Sequence, residues 1–210
     1  GIPDLPRGSA REIRTFGVAA DRRIGPVEAA LSLSWMAESG TVLGAHFHDA
    51  LGASGADTLF TDAGFGVDIA PFWRLGGEFR QGFTRARAGG FVANGSRFSS
   101  RAWSIDMVRR DAFRSGDSVA VRLSQPLRVT GGGLNLNLPV SYDYVTETPG
   151  FGLRRVSLSP DGTEMIGELS WHGTLWNGRS AASVFYRKDP GHYSSAPDDA
   201  GVAVTWARDF

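Results

Sequence analysis

The sequence predicts an all-β protein: a transmembrane antiparallel up-and-down β-barrel of about twelve strands, of the outer-membrane type. Three observations lead to this fold class. Apolar and polar residues alternate along almost the whole chain, short and long connections alternate, and the sequence contains neither an 18-residue apolar run nor a long amphipathic helix. Only every second residue of a membrane barrel faces lipid, so the low mean hydropathy of −0.16 is compatible with this fold.

The final ten residues show the alternation most clearly. Val202, Val204, Trp206 and Phe210 fall on one side of a strand over Gly201–Phe210, and small or polar residues fall on the other. A soluble domain seldom ends on an exposed Phe, whereas a bacterial outer-membrane barrel commonly does, because its assembly machinery recognises such a strand. We therefore assign Trp206 and Phe210 to an assembly signal. An ordinary terminal sheet strand is the alternative.

The other strands follow from the same pattern. Residues 1–12 are predicted to be a lead-in from an upstream region, and residues 13–210 a single barrel domain. The expected strands begin with Ile13–Asp21 and continue at 27–38, 43–48, 63–69, 73–80, 102–107, 119–124, 134–143, 151–158, 164–175, 182–187 and 201–210.

The connections suggest an orientation in the membrane. Tight turns are expected at Ser39-Gly40, Ala70–Phe72 and Asn177-Gly178, and long polar loops at 49–57, 86–97 and 189–199. Outer-membrane barrels have short periplasmic turns and long external loops, so we expect the first strand to start at the periplasm. Aromatic residues near that side are predicted to form an interface girdle, although six Trp could instead fill a core. The girdle candidates are Trp35, Trp73, Tyr142, Trp176 and Trp206.

The polar sides of the strands are expected to line the lumen as an ionic network; in a soluble sandwich they would be a solvated face. Its candidate members are Glu28, Glu38, His46, His48, Asp68, Glu78, Arg80, Asp106, Arg122, Glu164, Glu168 and Arg187. His46 and His48 could share a metal, but no third ligand follows at a suitable spacing. Leu136 is assigned to the lipid-facing set and Asn137 to the lumen. We predict no catalytic residue, metal or cofactor, because no nucleophile and base can be paired with any specificity.

Composition limits the partners. The chain has 210 residues, no Cys and a formal net charge of zero. It is long enough to bury a core without disulfides, and its neutrality argues against nucleic acid. Residues 1–7 show no signal-peptide pattern, which indicates a removed signal or the C-terminal piece of a longer precursor. The expected partners are outer-membrane lipid, the barrel-assembly machinery and an upstream passenger; whether a partner fills the lumen stays open.

Three stretches resemble the C-terminal domains of subtilisin-type serine proteases with autotransporter-like architecture. They are Arg122–Val129 followed by Gly131–Pro139, the segment Tyr186–His192, and Ala200–Phe210, and the resemblance is clearest over Ser118–Phe210. It implies a twelve-stranded translocator barrel behind a secreted protease passenger, with a helical linker crossing the pore. The chain departs from that family because it has no subtilisin-like domain, no triad and no long pore helix. A C-terminal fragment would explain these departures.

The expected function is therefore that of a translocator and anchor that exports or tethers a passenger at the cell surface, with no enzymatic activity of its own. An outer-membrane barrel enzyme or small-solute pore is the first alternative. A soluble β-barrel or sandwich that binds an apolar ligand is the second. Dependence on detergent distinguishes the two membrane functions from the soluble alternative. Protease motifs encoded upstream of Gly1 would favour the translocator over the membrane enzyme or pore.

Overall fold

A computed structural model describes residues 12–46 and 55–208. Most of them lie in strands, and a short 3-10 turn covers Pro190–His192. Within the described ranges, no helix has the length and apolar character needed to cross a membrane. The strands are β1 Ile13–Ile24, β2 Val27–Ser39, β3 Thr41–Val42, β4 Ala45–His46, β5 Gly55–Ala70, β6 Trp73–Ala86, β7 Arg97–Arg110, β8 Ser118–Asp143, β9 Thr148–Ser157, β10 Met165–Leu175, β11 Gly178–Lys188 and β12 Asp199–Ala207.

Ten of these strands form one antiparallel sheet, which confirms the all-β, up-and-down prediction. The order is β1-β2-β5-β6-β7-β8-β10-β11-β12, and β9 pairs with β8 beside β10. The first half of β8 pairs with β10 and its second half with β9, so β9 and β10 together follow one long strand. The two-residue strands β3 and β4 form a separate hairpin. Among the described residues, β1 pairs only with β2, and β12 only with β11.

The two ends of the sheet differ in their connections. The turn end carries the two-residue connections 25–26, 71–72 and 176–177 and the seven-residue connection 111–117. The loop end carries the connections 87–96, 158–164 and 189–198, none of which is shorter than seven residues. Trp176 and Asn177 both have positive φ, 51° and 57°, as a two-residue type I′ hairpin requires. This asymmetry is the contrast between short and long connections that the sequence predicts.

Four details of the prediction are wrong. Among the described residues, the sheet has ten strands rather than about twelve. Residues 43–46 belong to the β3–β4 hairpin rather than to a sheet strand, while residues 47 and 48 lie outside the described ranges. The expected strands 119–124 and 134–143 are one continuous strand, β8, because the chain between them bends at Gly131–Gly133 but does not reverse its direction. Gly132 adopts φ 92° beside register shifts in the β7–β8 ladder, which accommodates the bend. Finally, β1 begins at the loop end, and Ser39 lies there too. The start of the first strand and the turn at Ser39-Gly40 were both expected on the side of the tight turns.

The sheet has one apolar face and one polar face. The apolar face exposes large side chains on each of the ten strands of the sheet, including Leu31 at 66% and Val204 at 72% of their full accessibility. The polar face carries the ionisable side chains described below. Ala19 of β1 and Arg122 of β8 line the same cavity of ≈ 630 Å³. Because strands five positions apart share one cavity, the sheet curls around its polar face.

Candidate functional site

The polar face near the turn end holds an ion-pair network centred on Arg74. The Arg74 guanidinium donates to Glu28 at 2.6 Å and to Asp68 at 3.4 Å, which joins β2, β5 and β6. Arg23 of β1 donates to the same Asp68 at 2.8 Å, and the Arg110 guanidinium lies 3.7 Å from it. Five strands, β1, β2, β5, β6 and β7, are therefore tied together through two carboxylates.

A second group lies further along the same face. Arg80 donates to Asp62 at 2.5 Å, and the hydroxyl of Ser32 donates to the other oxygen of Asp62 at 2.8 Å. Asp62 is thus satisfied from both neighbouring strands. The predicted network member Arg80 is placed as expected, while its partner Asp62 was missed.

Arg122 occupies the next position across the sheet. Its backbone neighbours are Asp106 on β7 and Glu168 on β10, both on the polar face. Its guanidinium donates to Ser104 at 3.1 Å and lies 4.0 Å from Glu78. Alternating charge signs on neighbouring strands reduce repulsion between like charges.

Glycines make room for these side chains. The guanidinium of Arg74 lies over Gly66, and a Cβ at Gly76 would come within 2.9 Å of an Asp106 carboxylate oxygen. In the sheet register, Gly66 lies directly opposite Glu28, and Gly76 lies directly opposite Asp106. The register places Gly64, Gly66, Gly76 and Gly82 together on the polar face.

The loop end of the polar face is covered by the β3–β4 hairpin, which Glu38 holds in place. Glu38 is only 1% exposed. Its carboxylate accepts hydrogen bonds from Thr41 Oγ1 at 3.0 Å, Leu43 N at 2.6 Å and Gly44 N at 2.7 Å. In the described part of the chain, the predicted network member Glu38 forms no ion pair. Its carboxylate instead forms a local clasp with one hydroxyl and two backbone N–H groups of the hairpin.

An apolar cluster lies beneath this hairpin, where a polar lumen was expected. Leu134 is 3% exposed and Leu136 is 8% exposed, and both face inward on β8. The lipid-facing assignment of Leu136 is therefore wrong, as is the inward assignment of Asn137. Val92 of loop 87–96 forms an antiparallel β-bridge with Leu136. This bridge and the bend at Gly132 bring the loop over the same residues. The cluster consists of Val42, Ala56, Ala86, Val92, Phe98, Leu134 and Leu136.

Two further loops are joined at the loop end through Glu164 and His192, both nearly buried. Glu164 accepts hydrogen bonds from Arg187 Nε at 3.0 Å and from Gly191 N at 2.8 Å. His192 Nδ1 accepts from Glu164 N at 2.9 Å, so the neutral ring donates from Nε2 to the Leu127 carbonyl at 3.1 Å. Arg187 and Glu164 were predicted for the network, whereas His192 was missed because its partners are mostly backbone atoms.

The aromatic girdle is divided between the two ends. Trp73 and Trp176 lie at the turn end, and Trp206 lies close to it, where its Nε1 donates to the Leu175 carbonyl at 3.0 Å. Trp35 lies four residues from the loop end of β2, and Tyr142 lies at the tip of the β8–β9 extension. Placement of all five at one end is therefore wrong for Trp35 and Tyr142.

The remaining candidates are His46, His48 and Phe210. His46 lies in β4, paired by backbone with Thr41, and His48 and Phe210 lie outside the described residues. In residues 12–46 and 55–208, no group of three or more His, Cys, Asp or Glu could hold a metal ion. Comparison with known proteins finds no matching family model, no curated relative and no similar solved structure.

Proposed function

We propose that this chain is an outer-membrane β-barrel that anchors a passenger segment at the cell surface. The observation that carries the proposal is the apolar face, which exposes large hydrophobic side chains on every sheet strand. A soluble monomer rarely exposes a contiguous apolar patch of more than a few hundred Å². A bilayer is the environment in which such a face on all strands is stable.

The height of the apolar face supports a membrane-spanning role. On β6 it runs from Trp73 to Phe83. Ten residue steps of a strand cover about 33 Å, or about 23 Å along the membrane normal at a tilt of 45°. Outer-membrane barrels carry an apolar band about 25 Å tall. The Trp residues at the turn end lie where that band would meet the headgroups.

The direction of β1 supports an anchoring role. In outer-membrane barrels the long loops face the cell exterior, so the loop end is the surface side under this proposal. Because β1 begins at the loop end, a passenger joined in front of it emerges at the surface. The resemblance of residues 118–210 to translocator domains supports the presence of a passenger, but the topology differs from that family, in which a linker crosses the pore.

The experiment is expression in a Gram-negative host with a cleavable signal and an epitope joined before Gly1. We expect the protein in the outer membrane, extractable only with detergent, and the epitope accessible to protease on intact cells. Deletion of Phe210 should reduce the inserted yield sharply, while the control Asp209→Asn should not, because only the deletion removes the terminal aromatic residue. A detergent-free soluble monomer would support the soluble alternative. An inserted protein with a periplasmic epitope would contradict the anchor.

A pore is tested with the same purified protein in planar bilayers. The apolar cluster and the Glu38 clasp cover part of the polar face at its loop end, so we expect little steady ion conductance. A stable open conductance would instead favour the small-solute pore.

A further inference from the structure

Three arginines form a basic patch on the apolar face, at the loop-end border of its hydrophobic residues. Arg85 of β6 and Arg97 of β7 are directly opposite each other in the antiparallel ladder, and Arg101 lies four residues further along β7 on the same side. All three are exposed. Like charges placed directly opposite on neighbouring strands destabilise a sheet, so this pairing requires a compensating interaction.

The residues that the structure describes supply little of that compensation. Within the described residues, Arg97 and Arg101 form no ion pair. Asp57 of β5 lies directly opposite Arg85, but Arg87 already holds its carboxylate with two hydrogen bonds of 2.9 and 2.8 Å. The patch therefore retains a charge of about three, given that Arg stays protonated at neutral pH.

The position of the patch identifies its partner. Toward the turn end, its next neighbours on the same face are the exposed Phe83 and Leu59. The Arg101 guanidinium lies 5.8 Å from the centroid of the Phe79 ring, so its stem follows the apolar surface and its charge stands at the border. A lipid presents its phosphate at this depth, directly above the acyl chains. A nucleic acid or an acidic peptide supplies negative charge but no acyl chains to cover the apolar side chains beside the patch.

We propose that Arg85, Arg97 and Arg101 bind the phosphate of an anionic lipid headgroup in the leaflet at the loop end. Arginine suits this role because its planar fork donates two hydrogen bonds to one phosphate. The headgroup would bridge the opposed Arg85 and Arg97 and remove their repulsion. This inference rests on the proposed membrane location, and its test separates the two.

The test measures the selectivity of the folded protein for spin-labelled phosphatidylglycerol over spin-labelled phosphatidylcholine in phosphatidylcholine vesicles at low salt. The double variant Arg85→Gln/Arg97→Gln should lower the selectivity by about fivefold for each charge removed. The control Arg114→Gln removes one exposed charge from the turn-end connection 111–117 and should leave the selectivity unchanged.

Each result has a distinct meaning. Equal selectivity of the wild type and the double variant, both inserted in vesicles, would overturn the headgroup site and leave the membrane proposal intact. Failure of the wild type to insert would overturn the membrane proposal itself. Inorganic phosphate that abolishes the selectivity at an ionic strength where chloride does not would identify a free-phosphate site and contradict the lipid assignment.

Discussion

Substitution of Leu31 by Arg separates a membrane-facing sheet from a soluble one. Leu31 is 66% exposed near the middle of the apolar face, between the small residues Ala20 on β1 and Ala63 on β5. In water, an exposed position with small neighbours tolerates Arg within about 0.5 kcal/mol. At the midplane of a bilayer, the same change costs about 2–4 kcal/mol. The two environments therefore differ several-fold in the expected loss of unfolding free energy.

The assay is reversible urea unfolding of the protein folded into phospholipid vesicles, followed by Trp fluorescence. Ser32→Arg is the matched variant, because Ser32 is the next residue on β2 and points to the polar face, where Asp62 can pair with the new charge. We expect Leu31→Arg to lose at least about 2 kcal/mol more than Ser32→Arg. Similar losses for the two variants would refute the assignment of the apolar face to lipid.

Three further changes test particular contacts. Gly132→Ala should destabilise the sheet by more than the cost of about 1–2 kcal/mol of a positive φ, since the new Cβ would lie 2.6 Å from Phe98 Cα. Gly167→Ala is the control and should be nearly neutral, because a Cβ there would have no atom within 4 Å. Equal melting temperatures of the two variants would disprove the bend in β8. Trp206→Phe should lose about 1 kcal/mol in urea unfolding with the hydrogen bond to the Leu175 carbonyl, and no loss would mean that this bond is not formed. His192→Phe should lose about 1–3 kcal/mol, because Glu164 N loses its acceptor, and should speed proteolysis in 158–164 and 189–198; unchanged cleavage would contradict the linked loops.

The fold class was predictable because local alternation decides which residues of a strand share one face. Val202 and Val204 share the apolar face, and Arg74 and Arg80 share the polar face, because the members of each pair are separated by an even number of residues. The tight turn at Trp176-Asn177 was also readable within one residue, since Asn-Gly favours positive φ.

Strand count and the loop-end cluster were not predictable in this way. Continuation of β8 through Gly131–Gly133 depends on the ladder with β7, and a run of glycines signals a turn or a bend equally well. Leu136 alternates correctly with its neighbours, yet it faces inward because loop 87–96 covers it. An alternating pattern distinguishes two faces but does not identify the side that a distant loop will cover.

The direction of the edge strands limits how the sheet can close. Nine strand positions lie side by side from β1 to β12, and every neighbouring pair is antiparallel, so β1 and β12 both run from the loop end to the turn end. In lipid their free backbone groups must be paired. Direct closure would join β1 and β12 in parallel and keep the start of β1 at the surface. Closure by three additional antiparallel strands, as a twelve-stranded translocator requires, would move the passenger junction to the periplasmic side and send the passenger through the interior. Such a segment would have to displace the apolar cluster around Leu134 and the hairpin held by Glu38, both of which are buried. The filled loop end therefore favours a tether that starts at the surface over a passenger that occupies the pore.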